Sequence, residues 1–246
     1  MKLRRLDQLL SSLGYCSRKE AADLVREGRV LVSGVSPKKA ESKVDAHAVT
    51  LDGSPLEAVD GLVAMFHKPL GYVCTHSDGE GPTIYELLPQ RWSNRNPAIT
   101  SVGRLDKDTS GLLLVTDVGT LVHRFTSPKS EVEKVYLVEV DRDLDETLIS
   151  TFASGTVMLR GESKPCLPAQ LKITSARSAS LTLTEGRYHQ VRRMFASQGW
   201  HVEKLHRERF GEYLLGDLQP GQWRIVESSS ITTHPLHPEF ADHEQE

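Results

Sequence analysis

The chain has 246 residues, of which 38% are hydrophobic and 26% charged, with a formal net charge of −3. That composition excludes a disordered segment and fits one large globular domain or two ordinary ones. No apolar run approaches the roughly 18 residues of a membrane span. The basic start "MKLRRLDQLL" lacks a small-residue cleavage site, so it reads as mature structure rather than a signal peptide. Cys16, Cys74 and Cys166 form no CxxC pair, which argues against a zinc ribbon or redox motif and fits a reducing, cytoplasmic setting.

Taken in chain order, the first elements are two short helices and a small sheet. Leu3, Leu6, Leu9, Leu10 and Leu13 recur at helical spacing, and Gly14 stands where a helix ends. Ser17 precedes Glu20 by three residues, which predicts a capping box for a second helix that stops at Gly28. "RVLVSG" and "VTLDG" read as strands running into turns. Residues 1–45 hold ten Lys and Arg against six Asp and Glu, a net of +4. Such a segment suits a polyanion partner or is simply a solvated helical surface; charge alone leaves both open. Arg4, Arg5, Arg18, Lys19, Arg26 and Arg29 are the candidate phosphate contacts.

"LEAVDG" is polar and turn-rich and marks a boundary near residue 60, giving units at 1–60 and 61–227. Residues 228–246 lack periodicity, and from Glu227 onward there are five acids and no Lys or Arg; they read as a flexible acidic tail. Within the larger unit, "LVAMFHKP", "EVEKVYLVEV", "SLTLTEG", "HVEKLHRERFG" and "GQWRIV" read as strands. In the second of these, Val132, Lys134, Tyr136, Val138 and Val140 share a face. "LDETLISTFASG" and "YHQVRRMFASQG" read as helices, the latter with Val191, Met194 and Phe195 on its apolar side. The fold class expected is α+β on a mixed, mainly antiparallel sheet with flanking helices.

Four stretches could carry chemistry. "HKPLGYVCT" reads alone as a hairpin turn. In "GRLDKDTSGLLLVT", Asp106 stands just ahead of an apolar run, where an acid is costly unless paired or employed; alone it reads first as a turn cap helped by Thr109 and Ser110. Tyr136 in "EKVYLVEV" reads alone as core with its hydroxyl at a rim. "EGRYHQVRRMF" crowds Arg187, His189, Arg192 and Arg193 around a helix start, and "LHRERFG" adds Arg207 and Arg209, a pattern that favours a nucleic-acid partner.

Residues 5–34, "RLDQLLSSLGYCSRKEAADLVREGRVLVSG", resemble an S4 RNA-binding domain. In their order, "HKPLG", "GRLDKDTSGLLLVT", "EKVYLVEV" and "EGRYHQVRRMF…VEKLHRERFG" resemble the motifs of the pseudouridine synthases, in the branch that carries an S4 domain and acts on ribosomal RNA. The resemblance covers roughly residues 1–226 and leaves the tail outside it. It implies isomerisation of a uridine in rRNA, in the small subunit first and in the large subunit as the alternative, with no cofactor and no metal. By the same resemblance Asp106 is the catalytic carboxylate, with Arg192 as its guanidinium partner and Arg187 and Arg104 as alternates. Tyr136 stacks on the base and Leu205 forms an apolar wall beneath it, while Lys68 and His189 join the substrate contacts. The partner expected is rRNA or a pre-ribosomal particle, with no membrane and no nucleotide cofactor, and a monomer is the default state. Two rivals stand beside this reading: a nuclease holding Mg²⁺ on Asp106 and Asp108, and an RNA-binding protein that kept the fold without the reaction.

Overall fold

The computed structural model describes residues 3–77, 79 and 81–226; the acidic tail expected at 228–246 lies outside them. The N-terminal unit comprises β1 (Arg4–Arg5), α1 (Leu6–Ser12), α2 (Arg18–Arg26), β2 (Val30–Val32), β3 (Lys43–Val44), β4 (Val49–Leu51) and β5 (Ser54–Pro55). Leu6, Leu9, Leu10 and Leu13 are buried against Ala21, Val25, Val30, Val44 and Val49, as their spacing predicts. Leu3 departs from that pattern. It is exposed, because Arg4 and Arg5 pair with Val44 and Lys43 as a two-stranded ribbon and delay the helix to Leu6. The capping box of α2 forms in both directions: Ser17 N–H donates to Glu20 Oε2 at 2.7 Å, and Glu20 N–H donates to Ser17 Oγ at 3.2 Å.

The larger unit continues with β6 (Val63–Lys68), α3 (Gln90–Ser93), β7 (Thr100–Ser101), β8 (Thr109–Thr116), α4 (Gly119–Thr126), β9 (Lys134–Val140) and α5 (Thr147–Ala153). It ends with β10 (Gln170–Ser175), β11 (Ser178–Leu183), α6 (Gln190–Ser197), β12 (Val202–Phe210), β13 (Tyr213–Leu214) and β14 (Trp223–Ile225). Among the described residues nine strands form one sheet in the order β10-β11-β9-β12-β8-β6-β14, with β13 beside β12 and β7 beside β8. β12 and β8 run parallel and the other pairs antiparallel, so the sheet is mixed and mainly antiparallel. The apolar run Leu112–Val115 lies fully inside, which makes β8 a buried strand covered on both faces. At Gly111 the parallel neighbour comes so near that an added Cβ would lie 2.2 Å from the Arg207 carbonyl oxygen; glycine alone permits this register. The apolar side of α6, Val191, Met194 and Phe195, packs with Phe152 of α5 over β9, β11 and β12.

The two units meet along residues 91–96. Arg91 donates to the Leu13 carbonyl at 3.1 Å, lies over the Tyr15 ring and is paired with Glu57, whose carboxylate also takes the Trp92 indole N–H. Asn96 N–H reaches the Ser12 carbonyl at 2.9 Å. Gly14 is part of this seam: with φ 78° it sits where a Cβ would be 2.3 Å from the Arg91 carbonyl oxygen.

Candidate active site

Asp106 stands on the turn that feeds β8, at the wall of a cavity of about 480 Å³, a size in the range of small-molecule pockets. The turn is fixed carbonyl by carbonyl. The Cys74 thiol donates to Leu105 O at 3.4 Å, and Thr109 N–H donates to Asp106 O at 3.0 Å. Lys107 O accepts from Gly71 N–H at 2.9 Å and from Lys68 Nζ at 3.4 Å. Asp108 O accepts from Arg192 Nη2 at 2.9 Å, and Thr109 O from Lys68 Nζ at 2.8 Å. With its backbone held this way, the Asp106 carboxylate reaches the cavity one-third exposed, 3.5 Å from His189 Nε2.

The sheet supplies the opposite wall. Lys134 and Tyr136 lie two apart on β9, and Leu205 and Arg207 two apart on β12, so each pair shares a strand face. Arg207 is directly opposite Tyr136 and Leu205 opposite Val138, and Leu183 of β11 is opposite Lys134. All four side chains line the same cavity as Asp106, with Phe210, Arg104 and the 184–191 segment closing its sides. Tyr136 also packs against two neighbouring apolar clusters, which orients its ring. An aspartate on a rigid turn thus faces an aromatic ring and an apolar wall.

Residues 63–197 match the family profile of RNA pseudouridylate synthases, and residues 4–49 match the S4 domain. The chain belongs to the RNA pseudouridylate synthase family. Members of this family are isomerases. The chain is 40% identical over 232 residues to the ribosomal small subunit pseudouridine synthase A of Pasteurella multocida, covering 93% of this chain and 98% of that one. It is likewise 40% identical over 234 residues to the protein of the same name in Escherichia coli K12, covering 93% and 99%. A crystal structure of a pseudouridylate synthase superposes with a TM-score of 0.65 at 36% identity, covering 92% of this chain and 97% of that one. No helix among the described residues is long and apolar enough to cross a membrane.

Within this synthase, several residues take other places than the sequence suggested. Arg192 does not face the Asp106 carboxylate; its guanidinium spans the carbonyls of Asp108 and Val202 and so braces the turn from behind. Arg187 is spoken for as well: it donates to Glu185 at 3.0 Å and to the carbonyls of Lys164 and Pro165, tying down the loop at 162–165. Lys68 is fully buried and donates to the carbonyls of Pro69, Lys107 and Thr109, so it supports the turn. Burial pulls its pKa below the usual lysine range, against the opposing pull of Cys74, Asp106 and Asp108. Arg104 lies exposed at the cavity wall, and no hydrogen bond or ion pair engages its guanidinium among the described residues.

The helix expected over "YHQVRRMFASQG" begins at Gln190. His189 precedes it in the left-handed region with φ 48°, a turn held by Arg187 N–H on Gln190 Oε1. The exposed ring of Tyr188 stacks on His189 at 3.9 Å. Among the candidate RNA contacts, Arg4 is bonded to Ser12 and the Val59 carbonyl and is a structural residue. Arg5, Arg26 and Arg29 face solvent in ion pairs with Asp7, Asp23 and Asp52. Arg18 and Lys19 are exposed with no hydrogen bond or ion pair among the described residues. Among the described residues no group of three or more His, Cys, Asp or Glu stands together as a metal site.

Sequence reasoning named Lys134 as part of a strand face and Arg207 as part of a basic cluster, and assigned neither to the site. Both were visible, one within an apolar strand face and one in "LHRERFG", but periodicity does not tell which cation ends up in a cavity wall.

Proposed function

We propose that this synthase isomerises one uridine of small-subunit ribosomal RNA to pseudouridine. It acts in the cytoplasm as a monomer, without cofactor or metal, on rRNA or a pre-ribosomal particle. The observation that carries the reading is the Asp106 carboxylate on a braced turn, facing Tyr136 and Leu205 across one cavity. The choice of small-subunit RNA is supported by the names of relatives that match nearly the whole chain.

The reaction breaks the C1′–N1 bond, turns the uracil and joins C1′ to C5; the C5 proton leaves and N1 gains one, so no atom is lost. A uridine stacked in RNA cannot reach a cavity of this kind, so it is extruded first. Asp106 then meets the sugar–base junction, Tyr136 stacks on the ring and its hydroxyl stands ready to receive the C5 proton, and Leu205 backs the base. Arg192 and Lys68 position Asp106 through its backbone. The N-terminal unit adds affinity through phosphates and RNA shape rather than sequence.

Mapping pseudouridines in rRNA from a strain lacking the gene, with and without a plasmid copy, tests the proposal. The expected result is the loss and return of a single small-subunit position. Loss of a large-subunit position instead, or of none, overturns it.

A further inference from the structure

The cavity holds a second charged feature that positioning of Asp106 leaves unused. Arg207 is 3% exposed. Its Nε donates to the Leu112 carbonyl at 2.8 Å, but its Nη2 is buried and has no hydrogen-bond partner. Lys134 comes from the adjoining strand, and among the described residues its Nζ donates only to the Thr184 carbonyl, at 3.2 Å. The Phe210 ring lies under both cations, 4.8 Å from the Arg207 guanidinium and 5.8 Å from the Lys134 ammonium.

Neither cation is in an ion pair among the described residues. The acids that line the cavity are Asp106 and Glu185. Glu185 is already engaged by Arg187, by the Gln190 side chain and by the Leu167 N–H. Burial, and then the neighbouring Arg207, push the Lys134 pKa down to about 8, with Glu185 pulling the other way. Two like charges held together in a half-dry wall, one with an unmet N–H, form an arrangement that is costly until an anion arrives.

We propose that Lys134 and Arg207 form an anion subsite that stabilises the uracil ring while it is detached from the sugar. This rests on the isomerase reading above. When C1′–N1 breaks, its electron pair passes into the ring and spreads over N1, O2 and O4. The uracil is an anion until C5 donates a ring pair to C1′ and forms the C1′–C5 bond, after which the C5 proton leaves and N1 gains one. Donors waiting at the place where charge develops lower the barrier because they need no reorganisation. The two cations are therefore catalytic residues of the detachment step, distinct from Asp106, which deals with the sugar.

The test is single-turnover conversion of an rRNA fragment carrying either uridine or 5-fluorouridine at the target position, with wild type, Lys134→Gln, Lys134→Arg and Arg207→Lys. Fluorine makes the ring a better-stabilised anion, so it should need the subsite less. Lys134→Gln is expected to slow uridine conversion by about 10²-fold, the scale for removing one such donor. On consumption of 5-fluorouridine the defect should shrink at least about tenfold, with RNA affinity within roughly threefold of wild type. Lys134→Arg should keep most of the rate and move to higher pH the alkaline fall that a Lys134 pKa lowered to about 8 predicts for wild type. Asp106, Glu185, Tyr136, His189 and Arg207 face the same cavity and remain unchanged in that comparison. An equal defect on both rings, or a loss expressed as weaker, less salt-sensitive binding, would mean that the cations hold a phosphate, and overturns the proposal. Arg207→Lys is checked by its urea midpoint; if it unfolds, the Lys134 variants decide. Any fragment that wild type converts serves for the test, so an error about the rRNA subunit does not disturb it.

Discussion

In the N-terminal unit, Arg26 and Arg29 lie in water beside exposed carboxylates. Around Asp106, Lys68 and Arg192 point inward at backbone carbonyls. The two regions contain the same residue types and use them for different purposes. Exposed pairs contribute little to stability because water and salt screen them, which leaves the surface free to exchange one partner for another, including a phosphate. A buried cation on carbonyls has no such freedom. If it is removed, the carbonyls are left unsatisfied in a dry setting, so it acts as part of the framework. The contrast separates cations that can exchange partners from cations that hold the protein together.

Four variants probe that contrast at different depths. Asp106→Asn keeps the turn and removes the charge. Its turnover should fall at least about 10⁴-fold, the scale of losing a reacting group, while RNA affinity measured by filter binding stays within a few fold. Near-normal turnover would remove Asp106 from the reaction. Lys68→Met should lower unfolding free energy by about 2–4 kcal/mol in urea titrations, since its carbonyl partners lose a donor. It should also reduce kcat more than KM, because the misplaced group is Asp106 rather than a substrate contact. If KM changes alone, Lys68 touches substrate after all.

Replacing both Arg18 and Lys19 by Ala should leave kcat and the urea midpoint unchanged. The slope of log affinity against log salt should become shallower by about 1–2, as expected when two phosphate contacts are lost. An unaltered slope would place the RNA elsewhere. Arg29→Ala should give the smallest effect, with both the urea midpoint and the salt slope within error, because its guanidinium is paired with Asp52 at the surface.

The legible part of this protein was local. The leucine–valine run announced β8, the Ser17–Glu20 spacing announced the start of α2, and Val191, Met194 and Phe195 announced the buried side of α6. What escaped was set by partners distant in sequence. Lys68 is buried because carbonyls 39 and 41 residues away need a donor, and Arg192 reaches a carbonyl 84 residues away. Leu3 looked helical because Arg4 and Arg5 gave no sign that they would pair with Lys43 and Val44. At the site, Asp106, Tyr136 and Leu205 were readable as a set of motifs. Whether a given arginine would meet that carboxylate was not, because the choice depends on which carbonyls the folded turn leaves open.

Five successive carbonyls, Leu105 to Thr109, each have a donor. Shifting the turn by one residue would break those bonds together, so it has little room to adapt when RNA arrives. The adaptation then falls to the RNA. The nucleic acid must unstack, bend and deliver its uridine to a fixed coordinate. The enzyme will therefore favour uridines whose surroundings are easily opened, selecting its target partly by how loosely the RNA holds it.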